Sequence, residues 1–363
     1  MDFDVKQIKR DMDRLYKFLE KENNSLMYPT DVNTLENMSA NILGGVKSSI
    51  ESKYKYSKVK DINKKNENKL LRALEDNQVY LNTMASSITD IYDSCDYIYM
   101  PMDDALECKS KSDIICTLLE FMKSVSDRDY EITKSMFRNG LVSDEFYNPK
   151  YGGVCNWSYY LQKCYVLLFT GLSHYGNGCI LSHEIGHAID FYKYALPYGQ
   201  IKPYYKCFFD EVPSTFYERI FLDYIKDKKI DEKASDVYFN KRSFPFICYA
   251  DDVIDFYDYM SEGYDNGNIK SEELYNYNDS FNYFIGYYVS LHLAVLYKKD
   301  KKKALEILDE ICSNRLYFDY DIGQILDYFK IDIDSFIDGD FVEPYIRKKV
   351  QDFNKRFNIS STL

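Results

Sequence analysis

Ser182-His183-Glu184-Ile185-Gly186-His187-Ala188 is the stretch from which the rest of this 363-residue chain can be read. It has the form H-E-x-x-H. On an α-helix, residues i and i+4 share a face, so His183 and His187 can turn two imidazoles toward one Zn²⁺. Glu184 projects beside them, where it can serve as general base toward a water activated by the metal. Gly186 and Ala188 are small, which lets another backbone come close to this helix. The chain has four histidines, and two of them are here.

Two imidazoles need a third ligand. One class of site takes it from the same segment, as H-E-x-x-H-x-x-G-x-x-H. Asp190 and Lys193 occupy the corresponding places and exclude that class. The other solution draws a glutamate from a following helix. After breakers at Pro197, Gly199 and Pro203 comes Asp210-Glu211-Val212-Pro213-Ser214-Thr215-Phe216-Tyr217-Glu218. Proline is tolerated in a first helical turn, so Pro213 sets a helix beginning near Glu211. Phe216, Ile220, Phe221, Tyr224 and Ile225 continue it at helical spacing. Glu211 is thus the expected third zinc ligand. Glu218, on the same stripe, is either a carboxylate that orients a ligand histidine or a solvated helix residue.

His-Glu-Ile-Gly-His-Ala followed by Glu-Val-Pro-Ser-Thr-Phe-Tyr-Glu resembles the thimet oligopeptidase/oligoendopeptidase F family of zinc peptidases. Gly152-Gly153-Val154-Cys155-Asn156-Trp157 and Tyr165-Val166-Leu167-Leu168-Phe169-Thr170-Gly171 resemble the Gly-rich loop and the strand that precede its zinc helix. The resemblance covers roughly residues 145–355. It implies a mainly α-helical protein with a small β-sheet, built as a thermolysin-like zincin core with a helical N-terminal lobe. It implies a zinc-dependent endopeptidase of short peptides, with His183, His187 and Glu211 as ligands and Glu184 as catalytic base. Members of the family carry a longer helical region before the zinc helix, so the shortened one here implies a more open cleft.

The family places tyrosines of a Tyr-rich helix, preceded by a histidine, against the oxyanion formed during peptide hydrolysis. A phenolic O–H there is worth a few kcal/mol. The corresponding helix spans residues 279–299, and Tyr283 and Tyr287, at i and i+4, are the two candidates for that donor. Two departures stand out. Tyr277 and Asn278 lie where the histidine would be, and in one register Gly286 falls on a family tyrosine.

Composition narrows the function further. Apolar residues make up 45% of the chain, enough for a sizeable core, and 37 tyrosines and 23 phenylalanines make that core aromatic. The net charge of −12 argues against a nucleic-acid partner, because phosphate binding needs clustered Lys and Arg. Nine cysteines with no C-x-x-C pair suggest neither a disulfide framework nor a cysteine zinc site. The first residues lack the basic segment and apolar run of a signal peptide, and no apolar stretch of about 18 residues is present. A soluble protein of a reducing cytoplasm, with no membrane partner, is expected.

In chain order, residues 1–25 carry an amphipathic stripe, residues 26–45 break it, and residues 52–69 form a polar Lys/Asn-rich connector or solvated face. Leu70 to Ile88 and Ile114 to Val125 read as helices. The glycines and proline at 139–153 mark a boundary between a helical N-terminal region, 1–145, and a catalytic domain, 146–363. Cys164 to Thr170 reads as a strand that can pair with extended substrate if it has a free edge. Gly171 to Gly178 reads as a loop, with His174 a loop histidine. Residues 227–245 read as charged and turn-rich. Asp251, Asp252, Asp255 and Asp258 lack the Gly-turn spacing of a calcium loop and read as a solvated helix face. Ala304, Ile307, Leu308 and Ile311 mark one more helix. The reading is a zinc metalloendopeptidase acting on oligopeptides. The rivals are a zinc amidase acting on a modified substrate and a zinc-bearing binding protein without turnover. Retention of Glu184 argues against the last of these, and the missing histidine and the short N-terminal part argue for it.

Overall fold

The computed structural model describes residues 72–144, 152–158, 163–198, 209–261, 271–318, 322–323 and 333–359. The stretches expected at 1–25, 26–45 and 52–69 lie outside them. In order, the elements are Gln78–Asp93 (α1), Lys111–Val125 (α2), Asp127–Arg138 (α3), Val142–Ser143 (β1), Gly153–Ser158 (β2) and Lys163–Leu168 (β3). Then follow Tyr175–Tyr198 (α4), Val212–Asp227 (α5), Glu232–Ser261 (α6) and Ser271–Lys299 (α7). Lys301–Phe318 (α8), Ile333–Ile337 (α9) and Glu343–Phe357 (α10) complete the set. The fold class expected from sequence is the one observed, mostly helical with one small sheet.

Local chemistry sets the short N-terminal helices. The Ser110 hydroxyl accepts the Asp113 N–H at 3.1 Å and opens α2. Ser126 ends α2 and opens α3, accepting the Asp129 N–H at 3.0 Å. A serine oxygen at such a place satisfies a backbone donor that the helix leaves unpaired.

Helix α4 is the centre of the packing. From Tyr175 to Lys193 every residue is buried except His187 and Tyr192, as befits a helix that is apolar nearly all round. Helix α5 covers one side, β2 and β3 another, and α8 a third. Gly186 makes the first contact possible: a methyl there would lie 2.7 Å from Ser214 Cα on α5. The expected loop at Gly171–Gly178 is shorter than read. Helix α4 starts at Tyr175, and His174 Nδ1 accepts the Asn177 N–H at 3.2 Å, so this histidine caps the helix.

The sheet has the order β1-β3-β2. Strand β3 is central, antiparallel to β2 with Cys155 opposite Val166, and parallel to β1 with Val142 opposite Val166. The segment read as a Gly-rich loop is therefore strand β2. Strand β3 gives both sides to partners, and among the described residues no strand pairs the outer edge of β2.

The segment read as turn-rich, 227–245, is mostly helix: α6 begins at Glu232 and runs through Pro245. An interior proline removes one helical hydrogen bond. Here Val237, Tyr238, Phe239, Phe246, Ala250 and Val253 are buried on either side of it, and that burial outweighs the loss. Asp251 is exposed, and the only group of three or more metal-ligating side chains among the described residues lies elsewhere.

One apolar cluster runs from Leu74 on the N-terminal side to Val350 on α10. Residues 72–144 are thus built into the same core as the rest. A buried polar link reinforces it. The Tyr217 hydroxyl on α5 donates to Asp129 Oδ2 on α3 at 2.6 Å, and Lys193 on α4 lies 3.6 Å from the other Asp129 oxygen. Tyr217→Phe strands one buried carboxylate oxygen and is expected to lower unfolding stability by about 1–3 kcal/mol. Urea titration checks this, and an unchanged midpoint contradicts it. No described helix is long and apolar enough to cross a membrane, and the eight cysteines among the described residues are free thiols.

Candidate metal centre

His183 and His187 lie one turn apart on α4, with ring centroids 5.0 Å apart and planes at 85°. Glu211 sits just before α5, on a turn held by two hydroxyls. Ser214 Oγ donates to the Glu211 carbonyl at 2.9 Å and to its Oε2 at 3.0 Å. Thr215 Oγ1 donates to the same carbonyl at 2.5 Å and to the carbonyl of Gly286 on α7 at 2.9 Å. Glu211 Oε2 is 3.5 Å from His183 Nε2 and 3.3 Å from His187 Nε2. Donor atoms of the three residues all lie within 4.8 Å of one another.

The groups of this cluster act strongly on one another. Burial acts against the Glu211 charge, but His187 and His183 more than offset it and hold the carboxyl down to about 2. Burial likewise opposes a charged His187, and Glu211 reverses that, raising the imidazole to about 9. Two imidazole nitrogens and one carboxylate oxygen form a donor set that suits zinc and leaves a coordination position open. The residues present fit that ion.

Glu184 is buried beside the ligands, and burial raises its carboxyl above the usual range against the pull of His183 and His187. Strand β2 passes directly over it: a methyl on Gly153 would lie 2.9 Å from Glu184 Cγ. The strand that lies against Glu184 is β2, whereas the sequence pointed to β3 as the strand that meets substrate.

Glu218 is not a solvated residue. It is buried, its Oε2 is 3.0 Å from His183 Nδ1, and Arg242 of α6 grips it with Nε at 2.7 Å and Nη2 at 3.1 Å. Burial opposes its charge, and Arg242 leads the groups that nevertheless hold its carboxyl below the usual range.

The two tyrosines of α7 have different surroundings. Tyr283 is partly exposed, and the charges of Glu211 foremost, with burial and Glu184, push its phenol up. Its ring stacks on Tyr249 at 5.3 Å and 14°. Tyr287 is buried, stacked on Phe246 at 5.4 Å, with the Arg219 guanidinium 5.3 Å from its ring. Burial, against Arg242, raises its phenol too. Glu211 thus acts first of all on Tyr283, whereas Tyr287 lies between Phe246 and the Arg219 guanidinium. Gly286 stands against Glu211 itself, where a methyl would come within 2.4 Å of Glu211 Cβ. A tyrosine at that place, as one family register would have it, cannot be accommodated.

Sequence reading missed Arg242 and Tyr249. Both sit on α6, in and just after the stretch taken for turns. The spacing of Arg242, Phe246 and Tyr249 along one helical face was the available signal.

No sequence-family model and no curated protein matches the chain. Solved structures do. A provisionally assigned peptidase from Chlamydophila abortus aligns with a TM-score of 0.53 and 17% identity over 79% of this chain and 57% of its own. A provisionally assigned oligoendopeptidase F from Bacillus anthracis str. Ames aligns at 0.44 with 12% identity, over 95% of this chain and 65% of its own. PZ peptidase A, solved with an inhibitor, aligns at 0.45 with 12% identity, over 95% and 69%. The chain therefore spans little more than half the length of the Chlamydophila abortus protein. What it shares with that peptidase is the fold.

Proposed function

We propose that the chain is a zinc-dependent endopeptidase acting on oligopeptides. The observation that carries this reading is the convergence of His183, His187 and Glu211, with the buried Glu184 beside them and against it strand β2, whose outer edge no strand pairs among the described residues. His183, His187 and Glu211 would hold the ion. When bound, zinc supplies a Lewis acid that polarises the scissile carbonyl and makes water acidic enough to attack.

The rest falls to the protein. Glu184 takes the proton of the attacking water on its carboxylate and returns it to the leaving nitrogen. Tyr283, whose phenol feels the charges of Glu211 and Glu184, donates its hydroxyl to the oxyanion, and Tyr287 packs beside the shared Tyr249 ring. The edge of β2 pairs with the extended substrate backbone and lays the scissile bond over Glu184, giving affinity without side-chain demands.

Elemental analysis tests the centre: one zinc per chain in the purified protein, lost in His187→Ala. Zinc at full stoichiometry in that variant rules out the site. Incubation with a mixed peptide library tests turnover. Zinc bound without any cleavage would favour the binding-protein reading, and cleavage confined to modified amides would favour the amidase. Between the tyrosines, Tyr283→Phe is expected to lower kcat by about tenfold or more, since each tenfold reflects only about 1.4 kcal/mol of transition-state stabilisation. Tyr287→Phe should change it by less than about threefold. The reverse order would transfer the donor role to Tyr287.

A further inference from the structure

Helix α6 contributes no metal ligand, yet one of its residues reaches the outer layer of the centre. Glu218 accepts three donors. Arg242 Nε meets Oε1 at 2.7 Å, Arg242 Nη2 meets Oε2 at 3.1 Å, and His183 Nδ1 also meets Oε2 at 3.0 Å. A buried anion facing an imidazole alone has freedom to rotate about its last bond. It can also swing toward the ion as a competing ligand. A two-pronged guanidinium removes that freedom, because the fork matches the carboxylate plane.

Among the described residues no other Lys or Arg makes a hydrogen bond or ion pair with Glu218. Arg219, adjacent to Glu218 in sequence, is turned to Ser290 Oγ at 3.2 Å and lies over the rings of Tyr287 and Phe246. The Glu218 side chain is 2% exposed and that of Arg242 30%, so the carboxylate is shut in while the guanidinium forms its lid toward solvent.

We infer that Arg242 is a positioning residue of the metal centre, locking Glu218 so that it holds His183 Nδ1–H and keeps Nε2 directed at His187 and Glu211. It acts through Glu218 and touches neither the ion nor the substrate. The geometry demands a fork: a lysine at 242 supplies the charge from one point and leaves the carboxylate free to turn. This inference rests on the zinc site proposed above.

Zinc release to an excess of chelator reads the role directly, without any assay of hydrolysis. Loss of an outer partner of a metal-bound histidine weakens metal holding by about 10–100-fold. Arg242→Met and Arg242→Lys are both expected to speed release into that range, the lysine variant less. Glu218→Gln should do the same, and the double variant Glu218→Gln/Arg242→Met should release no faster than Glu218→Gln alone, since the two residues act in series. Melting of the metal-free proteins separates this from general loosening. Tyr345→Phe, whose hydroxyl meets Asp223 and no residue of the centre, should melt lower and release zinc at the parental rate. If Arg242→Met does not fold, Arg242→Lys carries the test. Parental release from the folded Arg242 variants, or additive effects in the double variant, overturns the inference and leaves the zinc site standing. A parent protein that takes up no zinc overturns both.

Discussion

Glu184→Gln is expected to bind zinc with the parental stoichiometry, melt within a degree or two of the parent, and hydrolyse peptides about 10²–10⁴-fold more slowly. The amide is nearly the size of the carboxylate, so the space beneath Gly153 stays filled and the ligands keep their packing. What disappears is the oxygen that takes a proton. The parental carboxyl is raised by burial, so the neutral amide also spares the fold a desolvated charge, and stability is not expected to fall. The decisive measurement is single-turnover cleavage of a peptide by metal-loaded protein, with zinc quantified in the same sample. Zinc loss in this variant would turn Glu184 into a ligand or a structural partner. Parental rates would remove it from the chemistry altogether.

Gly286→Ala is expected to damage the centre from a helix that holds none of its ligands. The added methyl would lie 2.4 Å from Glu211 Cβ, 3.0 Å from its carbonyl carbon and 3.2 Å from its Cα. None of these atoms is the free end of a side chain, so relief requires α7 and the Glu211 turn to part. The Thr215 hydroxyl, which bridges the carbonyls of Glu211 and Gly286, resists that parting. Overpacking of this kind costs about 1–3 kcal/mol, and Glu211 Oε2 moves away from the two imidazoles. Zinc affinity should fall by tenfold or more, as competition with a chromophoric chelator would record. Parental affinity in a folded Gly286→Ala protein would mean that the turn yields more easily than its contacts indicate.

The parts of the site that were legible in the sequence are those whose geometry is local. Two histidines four apart need only a helix to share a face, and Pro213 dates the start of α5 to within a residue of Glu211. What escaped was set by partners distant in the chain. Gly176 and Gly178 look like loop residues, yet they lie in the first turn of α4, because Tyr238 and Phe221 occupy the space side chains would need. Pro245 and the charges around it look like a turn, and the buried residues on either side override them. Arg242 disappeared with that misreading, since its partner Glu218 stands on another helix 24 residues away. Tyr283 and Tyr287 have the same residue type and helical spacing. Only the neighbours brought by α6 and α5, Tyr249 for one and Phe246 with Arg219 for the other, tell them apart.

The shared core also has a consequence for how the chain is made. Helix α1 leaves the ribosome early, with Leu81, Met84 and Ile88 on its inner face. It packs on α6, and further partners come from the far end: Ser87 bonds the carbonyl of Asp338, 251 positions on, and Ser94, which caps the helix, meets Arg347, 253 positions on. At about 5–20 residues per second, synthesis separates such partners by roughly 10–50 s. Until α6 follows, about 150 residues later, the apolar side of α1 lacks the helix it packs on, and the α9 and α10 partners come later still. Newly made protein should therefore depend on chaperones that shield apolar surface, and its yield should fall with faster expression or higher temperature well before the finished molecule loses stability.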